Sequence, residues 1–297
     1  MDRRLFLAAA SAVSLPRLPN GRPQTQPFRL AYAPHFGMFQ AHAGPDPVAQ
    51  LEFMAAEGFR ALEDNGMRQR SVADQEKIAA AMARLDIRMG VFVAHTIDWS
   101  KPTLASGEAA HRTRFLTEIQ QSVEVAKRVR ARWMTVVPGH VDARLDLQYQ
   151  TAHLIESLKR AAAILEPHGL TMVLEPLNTL RDHPGMILTG TPQAYALCKA
   201  VASPACKILF DAYHQQITEG NLIPNIDAAW DEIAYFQIGD NPGRDEPGTG
   251  EINYRNVFRH IASKGYQGIL GMEHGNSLPG KDGERAVIDA YRRADAW

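Results

Sequence analysis

The sequence predicts a single (β/α)8 barrel, and three observations predict it. Apolar runs of strand length recur eight times between residues 29 and 273. The segments between them carry helical periodicity, and strict alternation of strand and helix requires parallel pairing with right-handed crossovers. The later runs end abruptly on a carboxylate or an amide, as expected where strand tips meet on the C-terminal rim of a closed barrel. An open doubly wound sheet would need fewer strands and a Gly-rich first turn. Here the first turn reads Ala33-Pro34-His35-Phe36-Gly37, and neither G-x-G-x-x-G nor a Walker loop follows any strand.

Taken in order, residues 1–27 read as a leader and linker, and 28–297 as the barrel domain. Arg3-Arg4 precedes an apolar run reaching Leu15, followed by small residues and Pro16, Pro19 and Pro23. That pattern resembles a twin-arginine export signal and implies a periplasmic protein; a basic leader on a cytoplasmic protein is the alternative. Asp2 and Ala8 depart from the signal's usual residues, and the run is too short to span a bilayer. The strands are expected at 29–33, 60–63, 88–94, 133–137, 171–175, 207–211, 234–238 and 268–273. Ala80, Met82, Ala83 and Leu85 mark one helix face, and Leu154, Ile155, Leu158, Ala161 and Leu165 another. Gly58, Gly169 and Gly265 stand just past helix ends, where a left-handed residue is wanted.

The 297 residues are 45% hydrophobic and 22% charged, enough for one large α/β domain. A formal net charge of −1 offers no basic surface to neutralise a run of phosphates, so nucleic acid is not an expected partner. Cys198 and Cys206 lack the number and spacing of a disulfide framework or zinc knuckle and read as small buried hydrophobes.

The chain is organised around Thr171–Asn178, T-M-V-L-E-P-L-N, an apolar run that delivers Glu175 and is closed by Pro176. Three later runs end likewise, on Asp211, Gln237 and Glu273. Any one of these carboxylates could simply cap the next helix. Converging on one rim, three carboxylates and an amide oxygen need a cation. Oxygen donors suit Mg²⁺ or Mn²⁺ better than a structural zinc. Such a centre can chelate a carbonyl and its adjacent hydroxyl, leaving Glu175 and Glu273 to move a proton between the two carbons. His35, Glu63, His95, His140, Asn178 and His214 reach the same rim. A single strand-end histidine is more often structural than functional. His214 is favoured among them as a substrate or second-layer contact, because Asp211-Ala212-Tyr213-His214 makes a short turn back to the cavity.

E-P-L-N at 175–178, D-A-Y-H at 211–214, the long segment from Phe236 to Tyr254 ending G-T-G-E-I-N-Y, and G-M-E-H at 271–274 resemble the hydroxypyruvate isomerase family. This family belongs to the xylose-isomerase-like barrel superfamily, with ketose 3-epimerases as relatives. The resemblance implies metal ligation by Glu175, Asp211, Gln237 and Glu273, with Glu175 and Glu273 as the acid/base pair. It also implies that His214, Arg244 and Asn178 hold the polar end of a small keto acid or sugar. Isomerisation between hydroxypyruvate and tartronate semialdehyde is the implied reaction, and a ketose 3-epimerase its nearest alternative. L-E-D-N-G at 62–66 and F-V-A-H-T at 92–96 depart from the family pattern, in loops that shape the substrate pocket. The same superfamily holds apurinic endonucleases with a cluster of zinc ions, but Gln237 stands at an expected histidine and no Asp-x-His follows. A non-catalytic periplasmic sugar- or acid-binding protein is the reading from another class. A second copy of the chain is a further candidate partner.

Overall fold

The computed structural model describes residues 28–297, so the leader expectation lies outside the described residues. Eight parallel strands alternate with helices: β1 Tyr32–Ala33, β2 Ala61–Leu62, β3 Arg88–Met89, β4 Trp133–Val136, β5 Thr171–Leu174, β6 Cys206–Asp211, β7 Ile233–Ile238 and β8 Leu270–Met272. One sheet runs β1-β8-β7-β6-β5-β4, and β2-β3 form the other. Single parallel bridges join the two sheets at both seams, His35 with Glu63 and Val93 with Thr135, closing an eight-stranded barrel. The expected strands are all present, but the first three form ladders of only two residues. Beyond those ladders the first-half runs are held by isolated bonds such as Gly90 N to Leu62 O (2.7 Å) and Thr135 N to Phe92 O (2.8 Å).

Local chemistry starts the helices. Asp46 accepts from Ala49 N ahead of Pro47–Ala56, Ser71 from Asp74 N ahead of Val72–Leu85, and Asp146 from Gln148 N ahead of Leu147–Leu165. Gly58, Gly169 and Gly265 take φ of 93°, 64° and 77°, the left-handed conformation expected of them. On Leu147–Leu165 the expected face is turned inward, with Ile155 at its margin. On Val72–Leu85 the expectation was half right. Ile78, Ala81, Met82 and Leu85 are buried whereas Ala80 and Ala83 are exposed, because a run of alanines gives the period no contrast by which to place the face. Both cysteines are buried and free. Among the described residues, no helix is long and apolar enough to cross a membrane.

The barrel interior is plugged by one side chain from each strand region: Ala33, Ala61, Val91, Trp133, Val173, Leu209, Tyr235 and Ile269 form a continuous cluster. Large and small residues share that layer, as filling a tapered interior requires. Gly90 makes room for Tyr235, since a Cβ there would meet Tyr235 Oη at 2.4 Å and Leu62 O at 3.0 Å. Gly90→Ala is expected to lower stability by about 1–3 kcal/mol through overpacking, read as a reduced urea midpoint at unchanged m-value.

Candidate active site at the barrel mouth

Side chains two residues apart on a strand share a face, so the layer above the plug is set by adding two to each of its members. That gives His35, Glu63, Val93, Thr135, Glu175, Asp211, Gln237 and Gly271, with Glu273 one step higher. The interior therefore changes from apolar to carboxylate-rich within a single step along the strands. Register places Gln237 directly beside Asp211 on one side and Gly271 on the other. Glu175, Asp211, His214 and Glu273 each offer a ligand atom, all within 4.8 Å of one another. Glu175, Asp211 and His214 are buried, while a quarter of the Glu273 side chain reaches solvent.

Asp211 satisfies both readings open to it. Its Oδ1 accepts from Tyr213 N (2.8 Å) and His214 N (3.4 Å), capping Ala212–Thr218. Its Oδ2 faces the cluster, 3.6 Å from His214 Nε2 and 3.3 Å from Arg244 Nη2. The cap fixes the rotamer, and the fixed rotamer aims the second oxygen.

Arg244 stands among these acids. Its Nη2 donates to Glu273 Oε2 at 2.7 Å and to Asp211 Oδ2 at 3.3 Å, and lies 3.3 Å from His214 Nε2. The guanidinium also packs over Tyr213, 4.8 Å from the ring centroid. The loop that carries it is tied by Asp240, whose carboxylate accepts backbone N–H bonds from Asn241, Gly248, Gly250 and Ile252 at 2.8–3.0 Å. Arg244 N reaches back to Asp240 O (2.7 Å), and Gly275 N, just after β8, binds Arg244 O (2.9 Å). A Cβ on Gly250 would stand 2.0 Å from Asn241 O, so only glycine closes the loop this tightly.

His214 belongs in the cluster as closely as the carboxylates do, its Nε2 lying 3.9 Å from Glu175 Oε1. Asn178 sets the ring. Its amide nitrogen lies 2.6 Å from His214 Nδ1 and donates to Asp182 Oδ2 (2.7 Å), while its oxygen accepts from Arg181 N and Asp182 N, both 3.1 Å. Asn178 is fully buried, so both ends of its amide serve protein partners behind the ring. His183 and Trp99 continue outward from His214, with ring centroids 5.3 Å and then 5.0 Å apart. His95 receives Val137 N at Nε2 (3.3 Å), and His140 binds Val141 O (3.2 Å). His35 bridges Phe36 O and His274 O and lines a cavity of about 270 Å³ with Glu63, Asn65, Arg70 and Glu273. Sequence reasoning named Glu63 without promoting it. It passed over Asn65, which donates to Glu273 Oε1 at 2.8 Å, and Asp240, whose signal was an aspartate opening a Gly- and Pro-rich turn.

Charge crowding shapes the electrostatics. Burial first, then the Glu273 and Asp211 charges, holds Glu175 well above the usual carboxylate range. Burial pushes Glu273 up to about 7 against the opposing pull of Arg244. Burial lowers His214 to about 4 although Asp211 favours its charged form. Arg244 is raised despite burial by Glu273, Asp211 and Glu175. The four clustered side chains make a donor set that fits a hard divalent cation, and Gln237, in register beside Asp211, carries a buried Oε1 that has no hydrogen-bond partner among the described residues.

The family described as xylose isomerase-like TIM barrel matches this chain over residues 51–294. Hydroxypyruvate isomerase of Escherichia coli (strain K12) is 35% identical over 178 residues, 60% of this chain and 68% of the relative. The 2-oxo-tetronate isomerase of Cupriavidus necator is 32% identical over 247 residues, 80% of this chain and 89% of the relative. Among solved structures, AP endonuclease, family 2, from Brucella melitensis superposes with a TM-score of 0.75 at 25% identity, covering 86% of this chain and 96% of its own. D-psicose 3-epimerase from Clostridium cellulolyticum H10 superposes at 0.69 and 18% identity over 90% and 96% of the two chains, a likeness of fold.

A carboxyl raised from 4.5 to about 7 by folding binds its proton more tightly in the native state. Its contribution to stability is therefore complete at low pH and is lost as pH rises toward 7. In chelator, wild-type protein is expected to lose stability between pH 5 and 7 more steeply than Glu273→Gln (roughly, from the shift direction), as measured by urea midpoints across pH.

Proposed function

The chain belongs to the xylose isomerase-like TIM barrel family, and from that premise we propose that it is a metal-dependent isomerase of a small α-hydroxycarbonyl acid, with hydroxypyruvate the first candidate substrate. The observation that carries this reading is the convergence of Glu175, Asp211, His214 and Glu273 within 4.8 Å beside the orphaned Gln237 oxygen. The hydroxypyruvate and 2-oxo-tetronate isomerases it resembles support isomerase chemistry on a short oxo acid.

Glu175, Asp211, Gln237 and Glu273 would hold the ion, with His214 close enough to join or to contact substrate. A bound Mg²⁺ or Mn²⁺ supplies Lewis-acid polarisation of the substrate's carbonyl and hydroxyl oxygens. The chain does the rest. Glu175 and Glu273 rise from β5 and β8, so one carboxylate takes the proton from the hydroxyl-bearing carbon and the other delivers a proton to the neighbouring carbonyl carbon, while the hydroxyl proton passes to the former carbonyl oxygen. Arg244 offers a planar fork for the substrate carboxylate, and Asn178 keeps the His214 ring turned toward the cavity. The twin-arginine-like leader supports an exported protein as the setting for this reaction.

Ketose 3-epimerisation is the second reading, because carboxylates on two separate strands also suit proton delivery to the opposite face of one carbon. The name of the Brucella chain raises DNA cleavage. Against that reading, the described residues form one metal-capable cluster of His, Cys, Asp and Glu, and the chain carries net charge −1.

Incubation with hydroxypyruvate and Mn²⁺ in D₂O is expected to give tartronate semialdehyde carrying solvent deuterium, with activity abolished by chelator. Binding without exchange would favour the non-catalytic reading, and turnover confined to ketoses the epimerase. Glu175→Gln and Glu273→Gln should each lower kcat by about 10²–10⁴ with unchanged circular dichroism. Wild-type turnover in either variant rules out the assigned proton transfer.

A further inference from the structure

Gln237 is an amide among acids, and an amide has two unlike ends. Only its oxygen can face a cation; its NH₂ would repel one. Which end faces the cluster is set from below. Glu63, on the tip of β2, is buried across the barrel from β7 and accepts from Gln237 Nε2 at Oε1 (2.7 Å) and from Tyr235 Oη at Oε2 (2.8 Å). Against an ionised Glu63, a flipped Gln237 amide would set oxygen against oxygen with no proton between them. The observed orientation leaves Gln237 Oε1 buried and without a partner among the described residues.

The surroundings are shaped for this bridge. A Cβ at Gly271 would stand 1.8 Å from Glu63 Oε2 and 3.2 Å from Gln237 Cγ. At Gly90 it would meet Tyr235 Oη at 2.4 Å. Two strands thus give up a side chain where the carboxyl and the phenol pass through.

We infer that Glu63 is a positioning residue for the cation site: anchored by Tyr235, it holds the Gln237 carboxamide with its oxygen toward the cluster. The inference rests on the proposed metal site and adds a determinant outside the ligand set. It holds with Glu63 ionised, when both of its oxygens can only accept.

Glu63→Gln is the decisive change. The single oxygen left is claimed by the Tyr235 hydroxyl, the new NH₂ turns to Gln237, and the Gln237 amide flips to accept from it. Mn²⁺ binding measured by calorimetry on the purified full chain is expected to weaken about 10–100-fold, with thermal unfolding in chelator showing a folded protein. The exchanged pair Glu63→Gln/Gln237→Glu restores one donor facing one acceptor and leaves a carboxylate oxygen toward the cluster. It should regain at least half of the lost affinity on a logarithmic scale, which a merely structural defect would not. Should Glu63→Gln fail to fold, Glu63→Asp, which withdraws the acceptor while keeping the charge, is expected to weaken Mn²⁺ binding too. Unchanged affinity in the folded single variant, or no recovery in the exchanged pair, overturns the inference. Absence of Mn²⁺ binding by the wild type would instead remove the proposed function itself, and this inference with it.

Discussion

The mouth of this barrel is built around a concentration of acids that cannot stand alone. Glu63, Glu175, Asp211 and Glu273 reach one small volume from four strand tips, and burial makes each uncompensated charge costly. Arg244 answers part of that cost, with a single Nη2 contacting Glu273 and Asp211. A divalent ion would answer more of it from the same oxygens. Every supporting feature of the site follows from managing this charge. Asp240 ties the loop that brings Arg244 in, Asn178 fixes His214, and Glu63 occupies the underside of Gln237.

The plug below the site serves the same end. Val173, Leu209, Tyr235 and Ile269 fill the barrel immediately under Glu175, Asp211, Gln237 and Gly271, so the acids face a dry floor and an open mouth. A low-dielectric floor strengthens interactions with a cation and with charge developing on a substrate. Tyr235 belongs to both layers: its ring packs in the plug, and its hydroxyl donates upward to Glu63. Packing and chemistry are coupled there, and the two glycines that accommodate the contact are part of the site even though they carry no functional group.

Family membership and fold agree with this arrangement. The isomerase relatives align over most of their own length, and the epimerase and endonuclease structures share the barrel. A common scaffold does not by itself choose among their reactions. In this chain the choice is argued from its own residues: an amide where another donor could stand, a guanidinium beside the acids, and carboxylates from β5 and β8.

Alternation of apolar runs and helical segments determined the barrel from the sequence alone, since the period of burial is written in each element independently. The tip residues Glu175, Asp211, Gln237 and Glu273 were legible for the same reason: an apolar strand that ends on a polar side chain announces its rim. What the sequence left open was settled by contacts between distant segments. Whether Asp211 caps a helix or faces the cavity became a false choice once its two oxygens were seen to point apart. Asn178 moved behind His214, Ala80 and Ala83 faced outward, and Glu63 met a tyrosine and a glutamine more than 170 residues away. Those pairings depend on barrel register and on the space left by Gly90 and Gly271. Such quantities belong to the closed ring of strands, and no stretch of chain carries them by itself.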